Sequence, residues 1–107
     1  MGQTYKQQYA DKFVFNKSVS ASGIIGNNSY DVSVESKVNI VVSGAGAANE
    51  VTIKGRIFKA AFATISTITG DTTGIMLDVS IYDEIQFDCT NYDSQAFTIK
   101  ASGFIIL

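Results

Sequence analysis

A two-residue period limits this chain more than any other feature. Across residues 30–42 every second residue except Ser36 is apolar, from Tyr30 through Val32, Val34, Val38 and Ile40 to Val42. Asp31, Ser33, Glu35, Lys37 and Asn39 fall between them. A strand with one buried and one wet face repeats at this period, whereas an amphipathic helix places apolar residues three and four apart. The segment reads as one long bent strand, or as two strands meeting near Ser36-Lys37. The alternation returns in Phe13, Phe15, Val19 and Ala21, in Val51, Ile53, Gly55 and Ile57, and in Ile75, Leu77, Val79 and Ile81. It continues in Ile85, Phe87 and Cys89, then in Phe97, Ile99 and Ala101. Residues 61–69 are rich in β-branched side chains, but Phe62, Ile65 and Ile68 do not alternate, which predicts a bulge or twist there.

Glycine, asparagine, aspartate and serine gather at 23–29, 44–50, 70–74, 82–84 and 91–95, where they supply the backbone conformations that turns require. The spacing predicts an all-β chain: an antiparallel β-sandwich or jelly roll of seven to eight strands. The only helical candidate is residues 3–12, where Tyr5 and Tyr9 stand one turn apart. We therefore expect an N-terminal leader or arm over residues 1–11 and a single sandwich domain over 12–107.

The chain's 107 residues suffice for one modest core. With no histidine, Ser-His-Asp and Cys-His nucleophilic systems and the common histidine-bearing zinc and haem sites are excluded. Cys89 is the only cysteine, so no intramolecular disulfide forms. It shares its parity with Ile85 and Phe87 and reads as a small core residue. The first residues lack the apolar stretch of a signal peptide and no segment is long enough to span a bilayer. The expectation is synthesis in a cytoplasm with no membrane partner.

Charge is segregated. Residues 1–59 hold seven basic and four acidic groups, whereas residues 60–99 hold six acidic groups and no basic one. The single tight basic group, Lys54, Arg56 and Lys59, is too small for phosphate-driven binding, so no nucleic-acid partner is expected. Lys54 and Arg56 instead read as groups facing the acidic half, within the chain or across a subunit contact. Gly44-Ala45-Gly46 follows a strand but continues into Asn49 and another strand, so it lacks the third glycine and helix of a dinucleotide site. Asp71, Asp78, Asp83, Glu84, Asp88 and Asp93 have the oxygen chemistry of a calcium site without the spacing of an EF-hand, and read as solvated turn and strand-face carboxylates. No catalytic residue, metal or cofactor is assigned. Phe13, Phe15, Phe87 and Phe97 read as core, which leaves Tyr5, Tyr9, Tyr30, Tyr82 and Tyr92 as the exposed aromatic contacts, with Tyr30, Tyr82 and Tyr92 the candidates for a ligand.

The end of the chain, Ala101-Ser102-Gly103-Phe104-Ile105-Ile106-Leu107, puts large apolar side chains on both faces of one strand. One face meets the core; the other is covered either by a loop or residues 3–12 of the same chain, with the strand central to its sheet, or by another subunit. Phe104, Ile105, Ile106 and Leu107, with Lys54 and Arg56, form the candidate oligomer interface. The segment Ser102-Gly103-Phe104-Ile105-Ile106 resembles the closing strand of trimeric jelly rolls of the tumour-necrosis-factor and complement-head superfamily.

A wider pattern resembles small β-sandwich virion proteins of tailed bacteriophages. It comprises the Val51-Thr52-Ile53 strand, Thr64-Ile65-Ser66-Thr67-Ile68-Thr69-Gly70, Tyr82-Asp83-Glu84-Ile85-Gln86-Phe87 and Ala101-Ser102-Gly103-Phe104. Where members carry a tryptophan before the Thr-Ile run, this chain has Phe62-Ala63. The resemblance implies a β-sandwich that assembles as a symmetric oligomer on a capsid or tail, with no catalytic residues to carry over. The expectation is a non-enzymatic structural or attachment subunit located in the virion, such as a capsid-decoration, head-fibre or tail protein, self-associating as a homotrimer and contacting other virion proteins. The alternative is a carbohydrate-binding or adhesin-like module in which Tyr30, Tyr82 or Tyr92 stacks on sugar rings.

Overall fold

A computed structural model of the chain describes residues 5–6, 14–46 and 48–106. The strands are β1 (Tyr5–Lys6), β2 (Val14–Val19), β3 (Gly23–Ile24), β4 (Tyr30–Asp31), β5 (Lys37–Ser43), β6 (Glu50–Arg56), β7 (Ala63–Thr69), β8 (Thr72–Asp78), β9 (Glu84–Asn91) and β10 (Phe97–Ile106). A 3-10 turn, Ile25–Asn27, separates β3 from β4. All pairings are antiparallel.

One sheet runs β2-β10-β5-β8, with β1 pairing the far end of β10; the other runs from β3 and β4, side by side along one edge of β9, through β6 to β7. Apart from the β6–β7 hairpin and the β3–β4 break, each connection after β2 crosses from one sheet to the other. This is the connectivity of a jelly roll, two Greek keys wound into facing sheets. The fold class is therefore the expected antiparallel sandwich. The larger strand count arises because the position beside β9 is split by the 3-10 turn and because β1 adds a short pairing to β10.

Parity decides what lies between the sheets. Val38, Ile40 and Val42 of β5 and Phe97, Ile99 and Ala101 of β10 face Val51 and Ile53 of β6 and Ile85, Phe87 and Cys89 of β9, and all are buried. Phe15 stacks on Phe87 with ring centroids 4.5 Å apart, and Tyr30 meets Phe15 edge-on at 4.9 Å. Cys89 is in this core, and burial pushes its thiol above the ordinary value, as a packing role requires. Gly55 is covered by Tyr82 and Ile65; a Cβ there would lie 2.6 Å from the tyrosine ring, so a side chain cannot be accommodated without moving it.

The anomaly at 61–69 is a bulge. Ile53 pairs with Ser66 but Lys54 with Thr64, so Ile65 is an extra residue on β7. The alternation does not survive everywhere. Residues 30–42 form two strands, and in the connection Val34 is 67% exposed whereas Glu35 is 5% exposed, the reverse of their parity. A turn closed by Glu35 N–H donating to Val32 O takes the chain out of strand register there. Ile81 is likewise 67% exposed, in a turn closed from Tyr82 N–H to Val79 O. Tyr5 and Lys6 are extended, not helical; the rest of residues 3–12, with Phe13 and Leu107, lies outside the described residues.

Candidate interaction surface

The connections collect at the two ends of the sandwich. At one end the segments 44–49, 70–71 and 91–96 are tied together by Asn49, which is 2% exposed. Its side-chain amide donates to Ala45 O at 2.5 Å and to Gln95 O at 3.0 Å, its side-chain oxygen accepts from Asp93 N–H, and its carbonyl accepts from Gly70 N–H. Asp71 accepts from Ala45 N–H at 2.6 Å and Gln95 donates to Gly44 O at 2.7 Å. The residue that breaks the dinucleotide pattern is thus the organiser of this end. Its sequence signal, a lone asparagine in a glycine- and alanine-rich loop, does not distinguish it from an ordinary turn former.

The opposite end has a different character. Three turns, 32–35, 57–60 and 79–82, are each closed by a backbone hydrogen bond from the fourth residue to the first. They are laced together: Asp83 O accepts from Val32 N–H, Asp83 N–H donates to Arg56 O, and the Asp83 carboxylate accepts from Phe58 N–H at 2.8 Å. Each turn holds a large apolar side chain out in solvent: Val34, Ile81 and, at 87% exposure, Phe58. Phe58 and Lys59 both have left-handed backbone, with φ of 52° and 60°. That is the signature of a type I′ turn, which favours Asn-Gly, and a bulky non-glycine residue there costs about 1–2 kcal/mol. The strained turn leaves the Phe58 ring in solvent. Replacing Phe58-Lys59 by Asn-Gly is expected to raise stability by about 1–2 kcal/mol, seen as a Tm higher by roughly 5–10 °C in a thermal melt. A lower or unchanged Tm contradicts the strained turn.

Lys54 and Arg56 lie on the outer face of β6, beside acidic β9. Lys54 Nζ is 2.9 Å from Asp88 and Arg56 Nη2 is 2.6 Å from Glu84, which also accepts from Ser29 Oγ. Arg56 further covers the Phe62 ring, 4.5 Å from its centroid. The two charged halves of the sequence therefore meet within the chain, in half-exposed pairs worth about 0.5 kcal/mol each. The remaining acidic side chains are distributed: Asp78 is bonded by Ser80, Asp83 by Phe58, Asp71 by Ala45. No group of three potential metal ligands comes together among the described residues.

Hydrogen bonds from Ser33 hold Asp31 below its ordinary value, those from Ser80 do the same for Asp78, and Arg56, then Ser29, for Glu84. A depressed folded-state value stabilises the fold above the unfolded value, 3.8 for aspartate and 4.5 for glutamate, and that contribution is lost as pH falls through the folded value. Thermal melts are expected to be level from neutral pH to about 5 and to fall below about 4, with a shallower fall in Glu84→Gln. A Tm that rises toward pH 3 contradicts these assignments.

Tyr30, Tyr82 and Tyr92 are half-buried rings packed against the core. Phe104 is half-buried on β10, opposite Lys37 of β5; the backbones of Ile105 and Ile106 pair with Lys6 and Tyr5. Phe58, the most exposed aromatic among the described residues, carried no periodic signal, because its display comes from turn geometry.

No protein-family model matches the chain, and no curated protein matches it in sequence. Among solved structures it is similar to the crystal structure of SPBc2 prophage-derived protein YomS, with a TM-score of 0.60 over 90% of this chain and 99% of that one, at 8% identity. At that identity the likeness is one of fold: two chains of nearly matching extent share a jelly-roll sandwich.

Proposed function

We propose that this protein is a non-enzymatic structural or attachment subunit of a virus particle, a bacteriophage, and that it acts by assembly. The observation that carries the reading is the likeness in fold, over nearly the full length of both chains, to a protein derived from a prophage. The apolar end formed by Val34, Phe58 and Ile81 supports an assembling role, since large side chains held out at three laced turns contribute nothing to the chain's own core. Within this reading the subunit self-associates as a homotrimer. The C-terminal segment from Phe104 onward is directed to neighbouring subunits, and the apolar turns meet other virion proteins.

The test is to purify particles by density gradient from the lysate of a host carrying the gene and to identify their proteins by mass spectrometry. The chain is expected to co-migrate with intact particles in stoichiometric amount. Recovery only in the soluble fractions contradicts a virion subunit.

A further inference from the structure

The two sheets present four edges, and three carry features that discourage further strand pairing. The edge at β2 bears Lys17. The β3–β4 edge is two strands of two residues each, separated by the 3-10 turn. Strand β8 ends in Asp78 and is distorted where Thr73 and Gly74 together oppose Val41. Strand β7 differs: residues 60–70 contain no charged residue and no proline. Its bulge at Ile65 leaves Ser66, Thr67, Ile68 and Thr69 in regular register with β6. Among the described residues no strand other than β6 pairs with β7, and Ala63, Thr64, Thr67 and Thr69 are exposed.

The outer face points to what completes this edge. A row of hydroxyls runs across the sheet from Thr90 of β9 to Thr52 of β6 at 3.2 Å and on to Thr67 of β7 at 3.5 Å, where it reaches the edge. We propose that β7 is a homotypic docking edge that pairs antiparallel with β7 of a second copy, about a twofold axis centred on Thr67. This register sets Thr67 against its own counterpart and Ser66 against Ile68. Because the bulge absorbs one residue, it also sets Thr64 against Thr69. Outward threonines then meet outward threonines in both directions, and the two hydroxyl rows join end to end. A twofold contact requires such a self-complementary segment, and threonine pairs are favourable cross-strand neighbours. No like charges are brought opposite one another, since Lys54 and Arg56 stand one strand away and are paired to Asp88 and Glu84. This contact is distinct from the β10 end, and a twofold beside a threefold gives dihedral closure.

Directly opposed residues in an antiparallel pair have Cα atoms about 4.5–5.5 Å apart, within reach of a disulfide. The native Cys89 is buried, so the full chain gives a low background. Under mild oxidation Thr67→Cys is expected to convert more than half of the protein to a covalent dimer. Thr64→Cys or Thr69→Cys alone is expected to cross-link at least tenfold less, and a mixture of those two to form the heterodimer. Thr67→Lys, which opposes two ammonium groups across the axis, is expected to weaken association tenfold or more in sedimentation while leaving the melt of the dilute protein unchanged. Thr67→Cys cross-linking no faster than Thr64→Cys, or Thr67→Lys associating like the wild type, overturns the proposal.

Discussion

Removing residues 104–107 is expected to abolish cooperative folding. Strand β10 is interior to its sheet, with β2 on one side and β5 on the other. Its last part holds two further pieces: Phe104 O accepts from Ser36 N–H at 2.8 Å, fixing the entry to β5, and Ile105 and Ile106 pair with Lys6 and Tyr5. Truncation removes these bonds and exposes the apolar surface under Phe104. It also creates a new charge. Gly103 is packed directly against the Glu35 side chain, with no room for a Cβ, and Glu35 is 5% exposed. A C-terminal carboxylate at Gly103 would add a charge next to this tightly packed Glu35 contact. Against a total stability of about 5–15 kcal/mol, the combined loss leaves no folded state. Circular dichroism melts of the truncated chain are expected to show no transition. A folded chain with a near-native melt contradicts the central position of β10.

The second large effect belongs to Asn49. Its buried amide makes three hydrogen bonds, one that closes the 44–49 loop on Ala45 O and two that tie it to the 91–96 loop. Asn49→Ala leaves Ala45 O, Gln95 O and Asp93 N–H without these partners at a partly buried site, which is expected to lower stability by about 1–3 kcal/mol. Asn49→Asp is expected to be no milder, because it keeps the acceptor for Asp93 N–H but turns the donor toward two carbonyls into a second acceptor. Chemical denaturation with an unchanged m-value reads the loss directly. A change below about 0.5 kcal/mol would mean that the end is held by its other bonds.

Strands β5, β6, β9 and β10 were legible because each is half-buried over seven or more residues, and parity then assigns inside and outside without reference to neighbours. The irregular stretch at 61–69 was also legible, and Ile65 supplies its cause. Legibility fails where the chain leaves register. Val34, Ile57 and Ile81 continue an alternation in sequence, but turns rotate them outward, and Glu35 is carried inward against Gly103. The two-residue strands β3 and β4 are too short for any periodicity and form because β9 offers a free edge. The charge asymmetry was visible as a whole, whereas its resolution depended on strand order: only the adjacency of β6 and β9 brings Lys54 to Asp88 and Arg56 to Glu84. The apolar end is the least legible feature. Phe58 sits where turn chemistry asks for asparagine, and nothing in its neighbours signals that the ring will be held in solvent.

The proposed virion role rests on self-association of this chain. Native mass spectrometry of the full-length protein at micromolar concentration tests that most directly. The account predicts assembled species built from symmetric sets of the chain, with monomer a minor component that grows on dilution. A monomer that persists at every concentration contradicts it.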